Sequence, residues 1–213
     1  MNKQCIILAP HIDDEVIGCG GYILNNSSKV DFHVIYFSSG SPKKGRELEA
    51  KRSSKILGIK TVTFLRMKEF EIFKTNKILK QLHKLYNLKR AEIIFLPHEE
   101  ESDKDHKAVY EIGKLSLWTY NTKYFNIPIK KKIKKLICYE VHSPMKRYSF
   151  IEDITPNINI KIKALEQFKS QNKKSDLINA IMGLNLYRAI MNGKGKFAEV
   201  FKIEDGNKCS NTK

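Results

Sequence analysis

The chain has 213 residues, of which 41% are hydrophobic, and a formal net charge of +16. That length suits one domain with a real core, and that apolar fraction excludes a disordered chain. No apolar run approaches the length that crosses a bilayer, and Cys5–Ala9 is too short for a signal-peptide core.

Cys5, Cys19, Cys138 and Cys209 lie far apart with no Cys-x-x-Cys, so no disulfide framework is expected and a reducing cytoplasm is the default location. The lysines are spread along the chain, with one dense run at Lys130–Lys135. The charge reads first as solubility and second as attraction to an anionic substrate. No basic stretch is interleaved with a nucleic-acid recognition motif, so no specific nucleic-acid partner is expected. Oligomeric state is not legible.

Cys5–Ala9 predicts a buried β-strand, ended by Pro10. His11, Asp13, Asp14 and Glu15 follow, and a helix is predicted over Glu15–Leu24. Strand, polar turn and helix in that order place chemistry at the carboxyl end of a strand in an open α/β sheet. His11 and Asp14 are three apart, which puts both side chains on one side of a tight turn, within reach of one metal ion. Asp13 lies between them and must point elsewhere, toward whatever the metal holds. A plainer reading makes the three acids helix caps, but it leaves His11 unexplained.

Asp31–Phe37 predicts a second strand, with His33 as a structural side chain in its middle. A helix is predicted over Gly45–Leu57, closed by Gly58. Thr61–Arg66 reads as a third strand, Asn76–Tyr86 as an amphipathic helix with His83 on its solvated side, and Ile93–Leu96 as a short buried fourth strand. Strand four runs into Pro97–His106, a loop rich in acids and histidines, before a helix predicted over Lys107–Leu117. His11, Asp14 and His106, all at strand ends on one edge, then form a two-histidine, one-carboxylate set. Such a set suits a catalytic zinc, and suits ferrous iron as well.

Thr119–Lys135 reads as a surface excursion and Leu136–Val141 as a fifth strand, with Glu140 and His142 flanking the same edge. Lys161–Gln171 and Leu177–Met191 read as helices, Ala198–Ile203 as an edge strand, and Asp205–Lys213 as a polar tail to a single domain over residues 1–204. The alternation of strands and helices predicts an α/β fold: a Rossmann-like three-layer sandwich with a mostly parallel central sheet.

Pro10-His11-Ile12-Asp13-Asp14-Glu15, with Gly18, Gly20 and Gly21 behind it, resembles the Pro-His-x-Asp-Asp-Glu mark of the zinc-dependent N-acetylglucosaminyl deacetylases, the LmbE-like and PIG-L-like family. The resemblance extends over roughly residues 4–203. Arg46 and Glu49 match an Arg-x-x-Glu, Asp105-His106 a terminal Asp-His, Ser170-Gln171 the end of a later helix, and Ala198-Glu199-Val200-Phe201 a C-terminal Ala-Glu-x-Phe. It implies metal ligation by His11, Asp14 and His106, with Asp13 as general base. It also implies Arg46 near substrate or the catalytic acid, although an ordinary surface ion pair with Glu49 is the alternative. The family commonly has His or Asn where this chain has Asp103, so Asp103, or His98 in its place, is expected to face substrate.

The implied reaction is metal-dependent hydrolysis of the N-acetyl group of an amino sugar or an anionic conjugate of one, releasing acetate. Two rivals stand beside it: a binding protein that kept the fold without catalysis, and a basic nucleic-acid-binding protein. Steep salt dependence would mark the second.

Overall fold

The structure is a computed structural model and describes residues 2–172 and 176–204. Its elements run β1 (Lys3–Ala9), α1 (Asp14–Asn26), β2 (Val30–Ser38), α2 (Lys43–Leu57), β3 (Thr61–Met67), α3 (Asn76–Lys89), β4 (Ile93–Pro97), α4 (Lys104–Asn121), β5 (Lys135–Tyr139), β6 (Phe150–Asp153), α5 (Ile158–Leu165), α6 (Lys169–Asn172), α7 (Leu177–Asn192) and β7 (Ala198–Glu204). The seven strands form one sheet in the order β3-β2-β1-β4-β5-β7-β6. Every pairing from β3 to β5 is parallel, and β7 runs antiparallel to both its neighbours. This is the Rossmann-like, mostly parallel α/β sandwich that the alternation predicts.

β1 shows why the sheet is covered on both faces. Side chains of a strand alternate between faces. Cys5, Ile7 and Ala9 enter the core that packs under α1, α2 and α5, whereas Ile6 and Leu8 enter the core under α3 and α4. All five are fully buried, so this strand reads as an unbroken apolar run rather than an alternating one.

Helix α1 is kinked at Cys19, whose φ of −145° is not helical. The second half of the helix therefore has free N–H groups, and the Glu199 carboxylate of β7 accepts from two of them, Gly21 and Tyr22, both at 2.8 Å. Lys161 of α5 completes this cluster. Its fully buried ammonium donates to Glu199, to the Asn185 side chain and to the Ile17 carbonyl at 2.8–2.9 Å. Gly18 sits where a Cβ would fall 2.2 Å from the Tyr139 ring, so only glycine lets α1 lie this close to β5.

Five expectations change. Helix α4 begins at Lys104, three residues early, because Asp103 caps it by accepting from the Asp105 and His106 N–H groups. Asp105 and His106 thus stand on a helix, not in a loop, and Thr119 ends up inside α4 rather than in the excursion. β7 is not an edge strand; the four-residue β6, which has no apolar run to betray it, takes the edge. The helix expected over Lys161–Gln171 is split into α5 and α6. His83 is buried, not solvated: its Nε2 meets the Ser116 carbonyl and Thr119 Oγ1 where α3 packs on α4. The expected tail at Asp205–Lys213 lies outside the described residues. No helix among the described residues is long and apolar enough to cross a membrane.

Candidate active site

β1 and β4 lie side by side, yet β1 continues to β2 on one flank and β4 to β5 on the other. The loops leaving such a switch point diverge and open a crevice at the carboxyl edge. The two histidine-bearing stretches, His11–Asp14 after β1 and Glu101–His106 after β4, face each other across it.

The first stretch is a tight turn. Asp14 reaches back so that its Oδ2 accepts from the His11 backbone N–H at 2.7 Å. The turn forces Asp13 to φ 113°, a left-handed conformation that a residue with a Cβ rarely adopts. Asp13 is nominally the helix cap, but its side chain caps nothing. The capping explanation of the acids therefore fails for the residue best placed to cap, and the carboxylate is left on the cleft wall.

Three ligand atoms converge. His11 Nδ1 and His106 Nε2 are 3.3 Å apart, and Asp14 Oδ2 is 3.6 Å from the first and 3.3 Å from the second. Ligands about 2.0–2.1 Å from a tetrahedral ion are about 3.3–3.4 Å from one another, so the triangle has the size a zinc-like ion needs. The far side of each ring supports this. His11 Nε2 faces Asp105 Oδ2 at 3.1 Å, and that oxygen also accepts from the Phe70 N–H at 2.7 Å. His106 Nδ1 faces Glu101 Oε2 at 3.5 Å, too long for a hydrogen bond, and has no other partner. A proton on each far nitrogen leaves both lone pairs turned to the shared point, the arrangement in which a carboxylate orients a metal-bound imidazole. Asp103 is the second carboxylate near that point: ligand atoms of His11, Asp103 and His106 lie within 4.8 Å of one another.

The charges agree with a cation site. Burial works against a charged His106, but Asp14 and Glu101 beside it push its pKa up to about 10. Burial alone would raise Asp14 too, yet His106 and His11 hold it below the usual carboxylate range. In both cases the surrounding groups favour a positive charge at one place. Burial, then the charge of Asp14, pushes Asp13 well up, against the pull of Arg46. Burial also raises Glu15, to about 7; its Oε1 accepts from Tyr36 at 2.6 Å behind the cleft.

The cleft has a volume of about 250 Å³, and its walls include His11, Asp13, Asp14, Arg46, Glu69, His142 and Gln171. Arg46 is not in a surface pair with Glu49. It is buried, donates to Glu69 at 3.0 Å and lies against the Ile12 carbonyl, and it passes over Gly40 so closely that a Cβ there would sit 1.7 Å from Nη1. Glu49 instead binds the N–H and hydroxyl of Ser170 at the start of α6.

Of the two expected substrate contacts, Asp103 stays beside the candidate ligands and His98 does not. Asp103 spends one oxygen on capping α4, beside the metal point. His98 is buried with both ring nitrogens engaged, Nε2 on the Ser143 carbonyl at 2.6 Å and Nδ1 on the Glu100 N–H at 3.2 Å, and it does not line the cleft. Glu140, which flanks the same edge, is turned inward onto Arg188. Glu69 and Phe70 gave no signal in the sequence; they arrive on the loop after β3. Asp105 gave one, being an acid adjacent to a candidate ligand.

Likenesses to known proteins agree with this geometry. The diacetylchitobiose deacetylase of Thermococcus kodakarensis is 26% identical over 191 residues, covering 79% of this chain and 70% of that one. The N,N'-diacetylchitobiose deacetylase of Pyrococcus horikoshii superposes with a TM-score of 0.80 at 22% identity, over 96% of this chain and 84% of that one. The 4-carboxy-2-hydroxymuconate hydratase of Pseudomonas putida KT2440 shares the fold equally, with a TM-score of 0.85 at 18% identity over 99% of this chain and 100% of that one. Fold alone therefore does not choose a chemistry. The family model for PIG-L, described as GlcNAc-PI de-N-acetylase, matches residues 6–116, more than half of the chain and every residue from His11 to His106 placed above, and the chain belongs to that deacetylase family.

Proposed function

We propose that this protein hydrolyses the acetamide of an N-acetylated amino sugar or a conjugate of one, with a divalent metal held by His11, Asp14 and His106. Zinc is the first choice and ferrous iron the second, since two imidazoles and a carboxylate suit either. The observation that carries the proposal is the triangle of Nδ1, Oδ2 and Nε2 with Asp13, uncommitted, on the same cleft wall. The bound metal would supply a Lewis acid that acidifies water and polarises a carbonyl.

The chain's own residues would do the rest. Asp105 holds the His11 imidazole in the tautomer that ligation needs, and the Glu101 carboxylate faces the far nitrogen of His106. Asp13 takes a proton from water as the water oxygen bonds to the acyl carbon. The C–N bond then breaks with its electron pair going to nitrogen, and Asp13 returns the proton there, so that amine and acetate leave. Arg46 sets a positive charge beside Asp13 and favours its ionised form. The surplus of basic residues would draw an anionic conjugate toward the cleft. A binding protein without catalysis is disfavoured by Asp13, which is strained and uncapped for no structural return.

The test is free-amine release from a panel of N-acetyl sugar conjugates, neutral and phosphorylated, on metal-stripped and zinc-reloaded protein. Release that depends on zinc supports the proposal. No release from any member under saturating zinc or ferrous iron overturns it.

A further inference from the structure

An acetamide under attack gathers negative charge on its acyl oxygen, and a site that stabilises this charge needs hydrogen-bond donors fixed in advance. The cleft is poor in them. Asp13, Asp14 and Glu69 only accept when ionised. Arg46 gives Nη1 to Glu69 and Nη2 to the Ile12 carbonyl, and its Nε is buried without a hydrogen-bond partner among the described residues. The remaining donor side chains on the wall are His142 and Gln171, neither holding a side-chain hydrogen bond among the described residues.

His142 is the one that contacts His106. Its ring stacks on His106 with centroids 4.8 Å apart and planes 25° from parallel. Its position is set by the group that also faces His106. Both oxygens of Glu101 accept from the His142 backbone N–H at 3.2 and 3.1 Å, and the same carboxylate takes the Val141 and Ser143 N–H groups at 2.7 and 3.2 Å. One buried carboxylate therefore faces the His106 ring and grips the backbone of the residue whose ring stacks on it. A neutral imidazole always carries one N–H donor, so this role requires no change of protonation.

We propose that His142 is a further catalytic residue, whose imidazole N–H donates to the acyl oxygen as its charge grows. The inference rests on the deacetylase function proposed above. The informative variant is His142→Phe, which keeps a ring over His106 and removes the donor. Loss of one such donor typically costs about a hundredfold to a thousandfold in kcat. That loss is expected here with KM and zinc content unchanged, and His142→Gln, which restores an N–H, should recover part of it. Wild-type kcat in His142→Phe, or a change confined to KM, overturns the proposal, as does a fall in zinc content that accounts for the lost rate. Methylphosphonate, a tetrahedral anion of the same size, gives a readout independent of turnover. Zinc-loaded His142→Phe should bind it at least about tenfold more weakly than wild type. Equal affinity, or binding by neither protein, counts against His142. If wild type releases no amine from any conjugate, the deacetylase proposal falls and the methylphosphonate comparison alone decides His142.

Discussion

Two clusters of buried charge lie within a few turns of each other on α1, and they are built on opposite plans. Under the kink, Lys161 has three partners and Glu199 accepts from Lys161, Gly21 and Tyr22, so opposite charges meet and the polar groups are answered. At the N-terminus of the same helix, Asp13 and Asp14 crowd like charges together, and the Asp13 backbone is strained. Asp105 Oδ1, His106 Nδ1 and Arg46 Nε, all buried, have no hydrogen-bond partner among the described residues. Buried polar groups in folded proteins are nearly always satisfied, and local violations collect where function needs them. The first cluster is what a structural charge pair looks like in this chain; the second is what the proposed ion and substrate would complete.

That contrast can be broken by experiment. The largest effect belongs to the satisfied cluster: Lys161→Met leaves Glu199 buried against nothing positive, a loss of about 3–5 kcal/mol. In a domain of this size it should appear as a melting temperature lower by roughly 6–20 °C. The double variant with Glu199→Gln should recover part of the loss, and two losses that simply add would contradict the pairing.

Next comes Asp105→Asn, which keeps an acceptor for the Phe70 N–H but weakens the hold on His11 Nε2. Removing such an outer partner typically costs about tenfold to a hundredfold in metal affinity. Zinc titration against a competing chelator reads it, and an unchanged dissociation constant would show that Asp105 does not support the ligand.

A smaller effect of opposite sign is expected at Asp13. Glycine adopts φ 113° freely, so Asp13→Gly removes both backbone strain and a repelled carboxylate. The metal-free variant should gain about 1–3 kcal/mol in denaturant unfolding, and its zinc-loaded form should release no amine. A destabilised Asp13→Gly would mean that the strain and the repulsion are not there.

Much of this was legible beforehand, and the limits have physical causes. Strand–helix alternation from β1 to α4 and the strand-end positions of His11, Asp14 and His106 follow from local pattern, and local pattern is what a sequence displays. The partner of Arg46 is different. Glu49, one turn away, is the obvious choice, yet Glu69 arrives from the next strand's loop and only the sheet order brings it there. His98 and His142 look alike in the sequence, each just beyond a strand beside polar residues. Burial and two hydrogen bonds occupy His98, while the backbone grip of Glu101 turns His142 into the cleft. The early start of α4 depends on Asp103, whose Oδ1 caps the helix while the residue stays beside His11 and His106.

The central claim is that neighbouring carboxylates on one turn do different work: Asp14 holds the metal and Asp13 moves the proton. Zinc content and amine release measured together on Asp13→Asn and Asp14→Asn test it most directly. The account predicts that Asp13→Asn keeps near-normal zinc and loses at least about a hundredfold in rate, the usual worth of a general base. Asp14→Asn should lose zinc first, and its rate with it. Equal zinc loss in the two variants, or an Asp13→Asn enzyme that retains most of its activity at saturating zinc, would contradict the account.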